Sequence, residues 1–296
     1  MYELVQISNH CYYIQSPAKI GIVKINEHEV CLIDSGNDKD AGKKIKKILD
    51  SQGWTLTAIY NTHSNADHIG GNKFLQTQTG CKIYAPEIEQ AFTKYPILEP
   101  SYLYGGFPSK DLRHKFLMAQ ESDVELLTEE KLPKGMKMIP LPGHFFDMVG
   151  FHVVEDDVIY LADCLSSKVT IDKYQISVLY DVESYKKTLE MVKAMKAKVF
   201  VPSHAEPCED ISELAQYNID KVLEIEKKIL ELCAKPISFE NLLQKLFDTY
   251  HLKMSFEQHV LIGSTVRSYL SYMKDKGELA VFFDNNMMIW HKTEEK

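Results

Sequence analysis

The chain lacks a CxxC pair, a run of apolar residues near the ~20 that a membrane helix needs, and any excess of basic charge. Each absence removes a class of function. Its six cysteines (Cys11, Cys31, Cys81, Cys164, Cys208 and Cys233) are scattered, which argues against a zinc-thiolate site and a disulfide framework and for buried thiols in a reducing compartment. The opening segment, MYELVQISNHCYYIQ, has no basic stretch followed by an apolar one, so it does not read as a secretory signal. The expectation is a soluble, cytoplasmic protein with no membrane partner. A net charge of -8 argues against nucleic acid as an obligatory partner, because phosphate binding needs a concentrated basic face. What is present is ordinary globular material: 296 residues, 45% of them hydrophobic, enough for one large domain, or a large one with a small appendage.

Strand-like runs rich in β-branched and aromatic residues open the chain: YELVQIS, CYYIQ, KIGIVKI and EVCLID. DKDAGKKIKKILDSQG then carries apolar residues at helical spacing and stops at Gly53, and LTAIYNTH returns as a buried strand. A second round offers KIYAP, an irregular stretch around EPSYLYGGFPSKD, strands MKMIPLP, VGFHVV and DVIYLAD, a helix after Asp181, and a last strand KVFVPSH. Two sheets with helices outside, an αββα sandwich of the α/β class, fit this order. From about Ala215 the pattern changes to three helices, one opened by the capping box SFEQ at Ser255, and a hairpin turning at Asn285 and Asn286. We read residues 1–214 as the main domain and residues 215–296 as a small winged-helix-like tail.

Five separate strand ends finish in a potential metal ligand or ligand-orienting group. Asp34 ends CLIDSG; His63, Asn65, Asp67 and His68 crowd the stretch NTHSNADHIGGN; His144 follows IPLPG; Asp163 ends IYLAD; His204 ends VFVPSH. One such residue is unremarkable. Strands that run the same way, however, deliver their loop residues to one edge, and neutral imidazoles and carboxylates gathered there suit zinc and similar divalent metals.

In these motifs, and in their order and spacing, the chain resembles the metallo-β-lactamase superfamily across residues 1–214. The resemblance implies a two-metal site. His63 and His144 would belong to the first metal and Asp67, His68 and His204 to the second, with Asp163 between them and Asp34 orienting the imidazoles from behind. Gly70 and Gly71 would let the next helix start tightly behind the ligands. The family's second histidine falls where this chain has Asn65. An amide oxygen is a weaker, neutral donor, so three explanations stay open. One zinc binds tightly and a second weakly or not at all; or Asn65 ligates through its oxygen and favours a harder metal such as iron or manganese; or the site has decayed.

The expected activity is hydrolysis, in which a metal-bound hydroxide oriented by Asp67 or Asp163 attacks a small-molecule ester, thioester, lactone or phosphodiester. The superfamily's diiron redox members resemble HxExDH with a flavodoxin domain attached, and this chain has neither. Glu99–Lys115, with Tyr102, Tyr104, Arg113 and His114, reads either as an overhang above the site or as a solvated loop with tyrosines packed beneath it. A non-catalytic alternative is a sensor whose tail binds nucleic acid or a partner. Acidic and basic residues nearly balance in that tail, so a structural, lid-forming or homodimer-forming role is preferred.

Overall fold

A computed structural model describes residues 2–294. The first four strands form an antiparallel meander: β1 (Glu3–Gln6), β2 (Cys11–Gln15), β3 (Ile20–Lys24) and β4 (Glu29–Ile33). Helix α1 (Lys39–Ser51) is capped by Asp38, whose side chain accepts from the Ala41 amide, and it ends before Gly53, which takes a left-handed φ of 68°. Then follow β5 (Thr55–Tyr60), α2 (Ala66–Ile69), α3 (Asn72–Thr79), β6 (Lys82–Ala85), α4 (Glu87–Lys94), α5 (Leu98–Tyr104) and β7 (Glu125–Leu126). These strands make one seven-stranded sheet in chain order, with β4 to β7 parallel.

The second sheet has the order β11-β10-β9-β8. It comprises β8 (Met136–Pro140), β9 (Val149–Val153), β10 (Val158–Ser166) and, after α6 (Lys168–Tyr174) and α7 (Val182–Ala194), β11 (Val199–His204). The tail contains α8 (Ser212–Leu232), β12 (Ile237–Ser238), α9 (Phe239–Thr249), α10 (Phe256–Asp275), β13 (Leu279–Asp284) and β14 (Met287–Lys292). Its three strands form a small sheet, β12-β14-β13, and the hairpin turns through Asn285 and Asn286, both left-handed as their side chains allow.

Three apolar layers separate these parts. Tyr13, Val23, Cys31 and Ile33 of the first sheet meet Val149, Phe151, Tyr160 and Val201 of the second. Behind the first sheet, Ile22, Leu32 and Ile59 pack on Ile45 and Leu49 of α1 and Leu75 of α3. Behind the second sheet, Ile159, Leu161 and Phe200 share a cluster with α7, α8, α9 and α10, reaching Tyr269 and Trp290. The αββα sandwich is therefore as expected, with a helical C-terminal region. Ala215 lies near the start of α8, fully buried within that last cluster. All six cysteines are free, and all but Cys208 are buried. Among the described residues no helix is long and apolar enough to cross a membrane.

Two local readings need correction. The stretch around Glu99–Tyr104 is not irregular, because α5 forms there. Pro100 falls in its first turn, where a missing amide hydrogen costs nothing, and Gly105 ends it at a left-handed φ of 77°. Asp163 lies within β10, not at its end; the strand runs on to Ser166 through an irregular register with β11, and Ala162 takes a φ of 51°. That bulge re-aims the neighbouring side chain, as bulges beside functional sites commonly do.

Candidate metal centre

The site is built at one rim of the two sheets. Asp34 follows β4 at a φ of 65°, a strained conformation for a residue with a side chain. Hydrogen bonds hold it there: Oδ1 accepts from the Thr62 amide at 2.8 Å, and Oδ2 accepts from Thr62 Oγ1 at 2.8 Å and from His68 Nδ1 at 2.8 Å. The Ser35 amide donates to the His68 carbonyl at 2.7 Å and the Gly71 amide to the Gly36 carbonyl at 3.2 Å, locking the loop after β4 against α2.

Four histidines are fixed by the same logic. Thr62 gives its hydroxyl hydrogen to Asp34, so its oxygen accepts from His63 Nδ1 at 2.9 Å. His144 Nδ1 lies 2.9 Å from the Val178 carbonyl and His204 Nδ1 lies 3.0 Å from the Pro17 carbonyl; carbonyls only accept, so both Nδ1 atoms carry hydrogen. With Nδ1 so committed, each ring in its neutral form presents a bare Nε2 to a common centre. There His68 Nε2 lies 3.2 Å from Asp163 Oδ1 and 3.7 Å from Asp67 Oδ2, and His204 Nε2 lies 3.1 Å from Asp163 Oδ2 and 3.5 Å from Asp67 Oδ2. His144 Nε2 lies 3.7 Å from Asp163 Oδ2, and the His63 ring is centred 4.1 Å from that of His68.

Ligand-type atoms thus gather in two groups that share Asp163: Asp67, His68, Asp163 and His204, and His63, His144 and Asp163. Within them His63 Nε2, His68 Nε2 and Asp163 Oδ1 are buried with no hydrogen-bond partner. Converging acceptors with no donor are costly when buried, and cations held by the two groups would satisfy all three. The donor set fits a divalent metal.

The electrostatics agree. Burial pushes His63 and His144 below the ordinary histidine range, and neighbouring imidazoles reinforce this. Burial also opposes charge on His204, but Asp163 and Asp67 outweigh it and push the ring up to about 10; Asp163, Asp67 and Asp34 raise His68 in the same way. Against their own burial, Asp163 and Asp67 are held low, Asp163 by His204 and His68 and Asp67 by His68 and His204. The carboxylates thus hold positive charge at this spot, as they would hold a cation.

Asn65 sits beside the first group. Its Nδ2 donates to Glu99 Oε1 at 2.7 Å, and its Oδ1 lies 3.1 Å from His144 Nε2. A second buried acid, Glu89 of α4, accepts from the Ser64 amide at 2.9 Å, from Ser64 Oγ at 2.5 Å and from the Asp147 amide at 3.1 Å. Burial pushes Glu89 up to about 8 and Glu99 well above the usual carboxylate range, each against hydrogen bonds that lower it. Neither acid, nor Thr62, stood out in the sequence. A glutamate on a short helix reads as a solvated charge until tertiary packing places it under a loop.

The wall after His144 is aromatic. Phe146 stacks on Tyr180 with ring centroids 3.9 Å apart, and Tyr102 of α5 meets both edge-on. Tyr102 Oη accepts from Ser264 Oγ of α10 at 3.1 Å, and Leu103, Leu112 and Leu117 cluster with Val260 of α10. The Glu99–Lys115 stretch is therefore clasped to the tail. His114 approaches Glu257 at 3.4 Å, and Arg113 lies over the exposed Phe107 ring. A cleft of about 1020 Å³ opens between α5, the start of α7 and α10, lined by Tyr102, Tyr180, Arg267, Ser268 and Tyr272 among others. None of the ligand-type side chains lines it; Tyr180, which stacks on Phe146, does.

The chain is similar to known proteins in its family pattern, in part of its sequence and in its fold. The family model described as Metallo-beta-lactamase superfamily matches residues 13–204. A hydroxyacylglutathione hydrolase from Maricaulis maris is 28% identical over 120 residues, 39% of this chain and 36% of that protein. Another from Rhodopseudomonas palustris is 30% identical over 132 residues, 44% of this chain and 42% of that protein. The chain thus spans well under half the length of these two relatives. A beta-lactamase domain protein from Burkholderia ambifaria superposes with a TM-score of 0.74 at 15% identity, covering 98% of this chain and 94% of its own, tail included.

Proposed function

Because the chain belongs to the metallo-beta-lactamase superfamily, we propose that it is a metal-dependent hydrolase of a small-molecule acyl thioester. One observation carries the reading: four imidazole Nε2 atoms and the carboxylates of Asp67 and Asp163 converge, with acceptors left unpartnered at their centre. The similarity to hydroxyacylglutathione hydrolases supports the hydrolase over a sensor role, and supports the thioester over the lactone, the phosphodiester or a simple ester.

His63, His144 and Asp163 would hold a first metal with the oxygen of Asn65, and Asp67, His68, Asp163 and His204 a second; zinc suits the imidazole-rich set, with iron or manganese as alternatives. A divalent metal supplies Lewis acidity and makes hydroxide available near neutral pH. The rest is the work of this chain. Asp34 and Thr62 keep His68 and His63 in the tautomer that offers Nε2, and the Val178 and Pro17 carbonyls do so for His144 and His204. The Asp67 side chain, 40% exposed, is more open than those of His68, His144, Asp163 and His204. It is the candidate for holding a proton on the attacking or leaving atom. Phe145, Phe146 and Tyr180 form an aromatic wall beside His144, buried at Phe145 and open to solvent at Tyr180.

The tail's order of helix, strand, two helices and hairpin supports a winged-helix reading, and its clasp on α5 supports a lid over residues 1–214. Its near-neutral charge argues against nucleic acid.

The test is hydrolysis of an acyl thioester by metal-loaded protein, with Asp67→Ala as control. Turnover at least a hundredfold above the variant is expected. Turnover equal to it overturns the catalytic reading.

A further inference from the structure

Asn65 is an amide with two chemically different ends, and what decides which end faces His144 lies outside the ligand set. Glu99 Oε1 accepts from Asn65 Nδ2 at 2.7 Å, which takes up the nitrogen end and leaves the oxygen end 3.1 Å from His144 Nε2. That nitrogen is itself an acceptor, since its ring hydrogen is committed to the Val178 carbonyl. Two acceptors so close repel unless a cation lies against both. Glu99 is 5% exposed, in the first turn of α5, and α5 is pinned to α10 through Leu103 and Tyr102. The orienting group is thus on a fixed element.

We propose that Glu99 is the positioning residue that makes Asn65 a metal ligand, holding its amide oxygen toward His144 so that the first position is completed by a neutral oxygen where the superfamily pattern has an imidazole. This rests on His63 and His144 being ligands. Oxygen in place of a third nitrogen makes that position weaker for zinc and relatively more tolerant of harder ions.

Glu99→Leu removes the acceptor and frees the amide to turn. Glu99→Gln keeps an oxygen for Asn65. In Asn65→His/Glu99→Leu the ligand is an imidazole that needs no amide to be turned. Each protein is loaded with zinc, its two affinities are read by competition with a chelating dye, and the occupied positions are located by anomalous diffraction. Glu99→Leu should weaken the His63–His144 position about tenfold to a hundredfold, the usual range for a partner behind a ligand, and leave the His68–His204 position within about twofold. Glu99→Gln should stay near the parent, and the double variant should recover the first position. Three results overturn the proposal: no change at the first position in Glu99→Leu, an equal loss at both positions, or no recovery in the double variant. If the parent protein binds zinc at neither position, the ligand reading itself falls, and this proposal with it.

Discussion

At the scale of the residue, the site is a set of paired commitments in which every imidazole hydrogen is spoken for. The bare nitrogens follow from their partners, Asp34 and Thr62 foremost. If the first position depends on a neutral amide oxygen, Asn65→His should tighten zinc there at least tenfold while leaving the His68–His204 position unchanged, which competitive chelation measures. An unchanged first affinity would show that Asn65 already serves as well as imidazole. Glu89 makes a different prediction. Burial raises it from an ordinary value near 4.5 to about 8, so between those values the folded protein holds a proton that the unfolded chain has released. Its contribution to stability is complete below about 4.5 and is lost as pH rises through about 8. Glu89→Gln should remove this slope. The stability of the parent relative to the variant should then fall by up to a few kcal/mol between pH 5 and 8, and parallel denaturation curves across that range would contradict it. His63, Asp67, His68, His144, Asp163 and His204, which the structure gathers in two groups, could be picked out in the chain because each lies in or just after a buried strand in a recognisable order, although Asp163 falls inside β10 and not at its end. Glu89, Glu99 and Thr62 could not, since nothing local marks a glutamate that only packing buries.

At the scale of the element, close approach governs. Gly70 and Gly71 are not there for a left-handed backbone, as their φ angles are -61° and -84°. They are there for space: a Cβ on Gly71 would stand 2.3 Å from the Ser35 carbonyl oxygen, and one on Gly70 2.2 Å from the Asn37 carbonyl carbon. The loop after β4 presses on α2 to bring Asp34 under His68. Gly71→Ala should therefore cost about 1–3 kcal/mol or more and loosen metal at the His68–His204 position. Gly106→Ala, whose Cβ meets nothing closer than 3.9 Å, should stay within about 0.5 kcal/mol. Equal melting temperatures for the two variants would contradict this account of the glycine pair. The glycines were legible as a tight junction. Helix α5 was not, because Pro100 and the Gly105-Gly106 pair mask a helix of only seven residues, too short to show a full apolar period.

At the scale of the whole molecule, the two sheets bring separate strand ends to one rim, and the tail completes the cover behind the second sheet. The layered architecture could be read from alternating strands and helices, but the shared core could not. Tyr269 and Leu270 of α10 lie in the same buried cluster as Leu161 of β10 and Tyr185 of α7, a union that spans some hundred residues of chain. The full chain should accordingly unfold in one cooperative transition by calorimetry, and a chain ending at residue 214 should aggregate; a soluble, folded truncation would show that the tail is an independent unit. The central claim is that these residues hold metal in two unequal positions that share Asp163. Anomalous diffraction on zinc-loaded crystals after gentle dialysis tests it most directly. The account predicts a strong peak beside His68 and His204 and a weaker one beside His63 and His144, with Asp163 touching both. Peaks remote from these side chains, or two of equal height that resist dialysis, would contradict it.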